Sequence, residues 1–314
     1  MNHFSFSIGN RVFAQPCGLV FWRNTLWVLA ALFLLQAHAS YAASDRGLLL
    51  EAQKNGQTVY LLGSIHLADK TFYPLREEIE RAYKRSDALV VEADILAMES
   101  NAALQMQVMQ ESVYPPGEQL KDNVSPEVYG QLVDWLNQRK IPEASFSRLR
   151  PAIAMITLSL IEMQARGLDP QAGIDRHFLN QAHRNNTEIL ELESVLQQIQ
   201  MLNSLENPEL YLQQTLAQLS DMDTFVPQIT SAWKSGDQEK IYDLVIREGL
   251  DENPEYAPLY ELLFYKRNRD MAEKIKELSD QHDTLFVVVG AGHLVGDKSI
   301  TDLLVKDGFT VEQI

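Results

Sequence analysis

Two short apolar runs in this chain each end at a glycine, and each glycine is followed three residues later by a histidine. "VYLLGSIH" runs from Val59 to His66, and "LFVVVGAGH" runs from Leu285 to His293. Runs of this length and composition read as buried strands rather than helices. Between the first and the next candidate strand, "DALVVEAD", lies a stretch in which Leu75, Ile79, Ala82 and Tyr83 share one helical face. Strand, helix, strand at that spacing is a βαβ unit, so the two strands are expected to be parallel and adjacent or nearly so. In parallel α/β sheets ligands collect outside the carboxyl ends of the strands. His66 and His293, distant in sequence, can therefore meet only at one sheet edge. Gly63 and Gly290 are expected to let the chain turn sharply out of each strand, with positive φ as one way of doing so.

The C-terminal part repeats the same grammar. Met271, Ile275 and Leu278 mark a helix face, Leu285 to Val289 a strand, about 297–306 a helix, and "FTVEQI" a last strand. "TEILELE" (Thr187 to Glu193) is a further strand candidate, preceded by a helix from about Ile174 to His183. The remainder, at about 95–172 and 199–265, reads as long helical insertions. "SPEVYGQLVDWLNQRK" opens with Ser125 as a cap and Pro126 in the first turn. "RPAIAMITLSLIEMQARG" is apolar nearly all round, the pattern of a buried helix. The fold class is α/β: a mixed, partly parallel sheet flanked by helices.

Residues 1–43 read as a targeting segment. Arg11 and Arg23 are its charged residues, and "LWVLAALFLL" (Leu26 to Leu35) has about the length of a secretory h-region. Small residues then offer cleavage pairs at Ala37/Ala39, Ser40/Ala42 and Tyr41/Ala43, of which the first two fit best. Export to the periplasm or beyond is expected, with an uncleaved N-terminal anchor as the competing reading and the one route to membrane contact. The single cysteine, Cys17, lies inside this segment, so any metal chemistry of residues 44–314 must use His and carboxylates. The formal net charge of −16 argues against nucleic acid and anionic membrane surfaces as partners.

His66, Glu92, Glu193 and His293 all follow or end predicted strands. Two imidazoles with one or two carboxylates suit a divalent transition metal with an open position. The competing assignment for each is structural: a hydrogen-bonded histidine at a strand end, or a carboxylate in a cap or ion pair. Arg267 carries a permanent, forked charge suited to a carboxylate or an oxyanion, and an ordinary ion pair is its alternative. His177, His183 and His282 sit in polar stretches and read as surface residues; Met106, Met109, Met155 and Met163 read as core or lid packing.

The ordered series "YLLGSIHLAD", "ALVVEAD", "RLRPAIA", "GIDRHFLNQA", "LELESVLQQ", "AWKSGD", "YKRNRDMAEKI" and "VVVGAGHLVGD" resembles the TraB/GumN family, related to the Tiki metalloproteases and similar in fold to the erythromycin-esterase and ChaN-like proteins. The resemblance covers essentially all of residues 47–314. It implies a metal-dependent hydrolase, peptidase-like, with a site built from the two Gly-x-x-His motifs and an acidic residue: Gly63, His66, Glu92, Gly290 and His293. The family's Arg-Asn pair falls on Arg267 and Asn268, and its Gly-x-Asp and Leu-Glu elements on Gly173, Asp175, Leu192 and Glu193. On this reading His66, His293 and Glu92 hold a divalent ion (Zn, Mn or Co), Glu92 doubles as general base, Arg267 stabilises the charged intermediate, and Asp175, Glu193 and Asn268 support them. The substrate is a peptide or small molecule. The alternative in a different class is a non-catalytic envelope protein binding a metal, haem or small ligand at the same edge. Because both histidines stand at strand ends, removing either is expected to cost the fold little.

Overall fold

A computed structural model describes residues 45–314; the expected targeting segment lies outside them. Six strands form one sheet: β1 (Leu48–Lys54), β2 (Gln57–Ser64), β3 (Ala88–Val91), β4 (Glu188–Glu191), β5 (Thr284–Gly290) and β6 (Thr310–Gln313), in the order β4-β3-β5-β2-β1-β6. β4, β3, β5 and β2 are mutually parallel, and β1 pairs antiparallel with both β2 and β6. The sheet is thus mixed and partly parallel, as its residues predict. β2 and β3 are parallel but one strand apart, because β5 is inserted between them.

The central strands are buried on both faces. Val59, Leu61, Leu62, Leu89, Val90 and Phe286 are each inaccessible to solvent, which is why they read as continuous apolar runs rather than alternating ones. Helices Glu77–Arg85, Ile174–Asn185 and Lys266–Ser279 pack on the sheet through Ile79, Phe178 and Ile275. Helix Met222–Ser235 joins them through Trp233, whose indole N–H donates to the Gly63 carbonyl at 2.7 Å. β1 is missing from the sequence reading. The dipeptide Asn55-Gly56, with both residues at positive φ (51° and 90°), closes a two-residue hairpin between β1 and β2, the turn this pair favours.

The insertions build cores of their own. Helices Pro126–Gln138, Pro151–Ala165 and Pro208–Gln218 share a cluster around Leu132, Trp135, Leu158 and Leu212. Helix Pro151–Ala165 buries Ala154 and Leu158 while leaving Leu160 exposed, so it is covered on most sides rather than all. Met155 and Met163 pack against apolar clusters as expected, but Met106 and Met109 do not: at 57% and 58% exposed they point into solvent from helix Ala102–Ser112.

Trp233 ties an insertion helix to the strand that leads into His66. Trp233→Phe removes the bond to a buried carbonyl and part of a fully buried ring. A loss of about 2–4 kcal/mol in unfolding free energy is expected from urea denaturation; a change under about 0.5 kcal/mol would show that this contact is dispensable.

Candidate active site

The carboxyl ends of the parallel strands place Glu92, Glu193, His66 and His293 at one edge. Glu92 follows β3, Glu193 follows β4, and the Glu193 N–H donates to the Glu92 carbonyl at 2.8 Å, carrying the ladder past the strand ends. His66 lies two residues beyond β2. Its loop is clamped by the amino end of helix Ile174–Asn185: the Ile174 N–H donates to the Ile65 carbonyl at 3.1 Å, and Ala68 and Asp169 exchange a pair of backbone bonds. Gly173 is required here by close approach, since a Cβ at that position would stand 2.4 Å from the His66 carbonyl oxygen.

Gly63 and Gly290 serve the same purpose, and neither has positive φ. Gly290 leaves β5 at φ −51°, ψ 136°. A Cβ on Gly63 would stand 2.6 Å from Leu48 Cδ2, and one on Gly290 would stand 3.3 Å from Glu92 Oε1. The motif glycines make room for packing and for the site rather than reversing the chain. A Cβ on Gly290 would also lie 3.5 Å from the His293 ring and 3.9 Å from His66 Nε2. Both imidazoles and the Glu92 carboxylate therefore surround one point beside β5.

The two histidines are held in opposite states. His293 is 4% exposed. Its Nδ1–H donates to Asn268 Oδ1 at 2.6 Å, and Asn268, itself buried, donates onward to the Lys298 carbonyl at 2.9 Å. Nε2 is left as an acceptor, 3.9 Å from Glu92 Oε1 and 3.2 Å from Arg267 Nη1. Burial drives the ring to its neutral form, against the pull of Glu92, and its pKa falls to about 4. His66 is open to the cleft, its side chain 59% exposed, and its Nδ1 faces Asp175 Oδ1 at 3.1 Å. The Asp175 charge outweighs desolvation and lifts its pKa to about 9. Each ring thus turns Nδ1 to an oxygen acceptor and Nε2 to the shared point.

Arg267 joins the carboxylates. Its Nε donates to Glu193 at 2.9 and 3.1 Å, Nη2 to Glu92 Oε2 at 2.6 Å, and Nη1 to the Leu263 carbonyl at 3.1 Å. The side chains of Arg267, Glu92 and Glu193 are 14%, 11% and 15% exposed. Glu92 also accepts from the Gly290 N–H at 2.7 Å and from Gln198 Nε2 at 3.2 Å. Burial pushes the Glu92 carboxyl up, but His293, Arg267 and His66 together hold it down at about 2. Glu193 goes the other way: burial raises it, with Arg267 opposing.

The donor chemistry fits a divalent cation. His66 Nε2 and Glu92 Oε1 face one point beside Gly290, and His293 Nε2 borders it while accepting from Arg267 Nη1 at 3.2 Å, a bond that a cation would displace. Each ring's Nδ1 faces an oxygen, the arrangement that orients metal-ligating histidines. Glu92, Glu193 and Asp175 against Arg267 leave a net charge of −2 when both rings are neutral. The buried Ser64 hydroxyl, at the same cleft, has no partner among the described residues. No three His, Cys, Asp or Glu side chains among the described residues stand close enough together to form a ready-made cage. Gln198 is the site residue that sequence reasoning missed; it lies within the "LELESVLQQ" stretch but carries no charge to mark it. His177 (3.0 Å from Glu80), His183 (2.8 Å from Asp94) and His282 (3.5 Å from Glu188) pair with carboxylates away from the cleft, and His177 and His282 are half-buried rather than fully exposed.

The TraB/PrgY/gumN family profile matches residues 48–313, and the chain belongs to that family. It is 27% identical to the uncharacterized protein YbaP of Escherichia coli K12 over 248 residues, 78% of this chain and 87% of that one. It is 23% identical to Metalloprotease TIKI1 of Danio rerio over 320 residues, covering 86% of this chain and 63% of the relative. It is 22% identical to the Metalloprotease TIKI homolog of Nematostella vectensis, covering 92% and 75%. No solved structure matches.

The buried His293 makes stability depend on pH. Its folded pKa of about 4 lies below the ordinary 6.5, so its contribution is present above pH 6.5 and is lost as pH falls through 4. Glu92 adds a later loss between the ordinary carboxylate range and about pH 2. Urea unfolding of metal-free protein from pH 7 to 4 is expected to show a decline on the order of 3 kcal/mol from this ring. His293→Asn should flatten that limb. An unchanged pH slope in His293→Asn would contradict the assignment.

Proposed function

We propose that this chain is a metal-dependent hydrolase of amide or ester bonds, peptidase-like and exported, acting at the cleft beside β5. The convergence of His66 Nε2, His293 and Glu92 Oε1 around Gly290 carries the reading; the metalloprotease names of the TIKI relatives support it. His66, His293 and Glu92 would hold a divalent ion of the Zn, Mn or Co kind. Such an ion supplies a Lewis acid and lowers the pKa of water, which makes hydrolysis feasible near neutral pH.

The chain's own residues then have separate tasks. Glu92 is ionised throughout the physiological range, so it can bind a cation or accept a proton. Asn268 fixes the His293 ring so that Nε2 faces the site. Asp175 does the same for His66. Arg267 is largely engaged by Glu92, Glu193, His293 and Leu263, with one Nη2 hydrogen left to meet a developing oxyanion. Its larger task is to neutralise two half-buried carboxylates. The expected export rests on the apolar Leu26–Leu35 run; among the described residues no helix is long and apolar enough to cross a membrane.

His66→Ala and His293→Ala should each lose stoichiometric metal, measured by elemental analysis after dialysis. The two differ in fold cost, which corrects the sequence expectation. Removing His66 takes the cation away from Asp175, a loss that the exposure of the ring keeps to about 1 kcal/mol at neutral pH, whereas removing buried His293 strands Asn268 and should cost about 1–3 kcal/mol. Wild-type metal content in both variants would remove the basis of the hydrolase reading.

Metal binding should also release a proton near neutral pH, because His66 is charged below about pH 9 and must be neutral to ligate. Calorimetry in buffers of different ionisation enthalpy is expected to show this, with affinity rising from pH 6.5 towards 9. Binding that is independent of pH in that window would exclude His66 as a ligand.

A further inference from the structure

The cleft beside His66 and Glu92 has a volume of about 340 Å³ and apolar walls that include Leu67, Ile95, Met98 and Leu160. One cation in it has no part in the chemistry described above. Arg176 follows Asp175 on helix Ile174–Asn185, lines the same cleft, and is 8% exposed. Its guanidinium forks onto Glu99: Nη1 donates to Oε2 at 3.1 Å, and Nη2 donates to Oε1.

The two partners are unequal. The Arg176 side chain is 10% exposed and that of Glu99 is 48% exposed. Glu99 stands on helix Ile95–Ser100, which buries no residue, and the next helix, Ala102–Ser112, buries none either. Ile95 and Leu96 hold the first turn of the Glu99 helix against the sheet core, while Glu99 stands near its other end with a half-exposed side chain that can swing into solvent without moving the helix. Arg176 therefore stays in place while its partner can leave. A guanidinium cannot shed its charge, and a buried one is strongly disfavoured when left unpaired, so departure of Glu99 requires another carboxylate in the same fork. A ligand carboxylate has the same planar, two-oxygen geometry.

We propose that Arg176 is the carboxylate anchor of a ligand subsite in this cleft, occupied by Glu99 in the ligand-free protein, and that the ligand is the C-terminal residue of an N-acylated chain, with a free α-carboxylate and an apolar side chain. The carboxylate meets Arg176, the side chain fills the space between Leu67, Ile95, Met98 and Leu160, and the acyl-amide end lies towards His66 and Glu92. The inference deepens the hydrolase reading by naming its substrate class, a peptide cut near a free C-terminus.

The test is binding to the full-length, metal-free chain, which needs no turnover. N-acetyl-L-leucine and N-acetyl-L-leucinamide are titrated by calorimetry or by ligand-observed NMR. The acid is expected to bind at least tenfold more tightly than the amide. Arg176→Gln should abolish that difference. Glu99→Gln, which removes the resident competitor, should tighten the acid several-fold and leave the amide unchanged. Absence of acid binding, equal affinity for acid and amide, or an acid affinity unchanged or weakened in Glu99→Gln would overturn the proposal. Because Arg176 is buried, its variant could fail to fold; the Glu99→Gln comparison then decides alone. If the acid binds as expected but metal-loaded protein cleaves no N-acyl peptide, the hydrolase reading fails and the carboxylate anchor stands.

Discussion

A permanent positive charge lies between two half-buried carboxylates, and the site's organisation depends on it. Glu92 and Glu193 end neighbouring strands and meet across the Arg267 guanidinium at 2.6 to 3.1 Å. Without that cation two ionised groups would face each other in a largely dry edge, which favours protonation of one or opening of the edge. Arg267 enters from helix Lys266–Ser279, so the same contact draws that helix over the ends of β3, β4 and β5. Asn268, one residue on, is thereby placed to hold His293. A buried ion pair of this kind is weak evidence for net stability, but breaking it by removing one partner is costly, typically 3–5 kcal/mol.

The two Gly-x-x-His turns look alike in sequence and differ in physics. His293 is sealed by Phe264, whose ring centroid lies 5.3 Å away, and by Asn268; it is neutral and fixed. His66 is open, faces Asp175 and holds a proton well into the alkaline range. One ring can serve as a preset ligand, and the other can exchange between proton and cation. The difference follows from what covers each turn: Phe264 and Asn268 over one, and an open cleft over the other.

The α/β class and the parallel strands were legible because strands buried on both faces must be continuously apolar, as in Val59–Leu62 and Leu285–Val289. Helix Ile174–Asn185 was legible for a related reason, its buried residues Phe178, Leu179 and Ala182 falling on one face. β1 escaped because Glu51, Gln53 and Lys54 dilute its apolar pattern, although the Asn55-Gly56 turn was present as a signal. The insertion of β5 between β2 and β3 is set by pairing of residues far apart in sequence, Thr58 with Thr284 and Ala88 with Leu285, which no local pattern records. Charge types at the site were legible, but partner choice was not: nothing local says that Arg267 pairs with both Glu92 and Glu193, or that a polar Asn268 is buried. The motif glycines stand where the chain leaves each strand, as expected, but they do so without positive φ; their constraint is space for Leu48, Ala291 and Glu92.

The central claim is that these residues converge on one cation. X-ray absorption spectroscopy of the protein loaded with one equivalent of Co²⁺ or Zn²⁺ tests it most directly. The account predicts a shell containing two imidazole nitrogens at about 2.0–2.1 Å and at least one carboxylate oxygen, and no such shell in His66→Ala, which does not retain the ion. A shell of oxygens alone, or a two-imidazole signal that survives in His66→Ala, would contradict it.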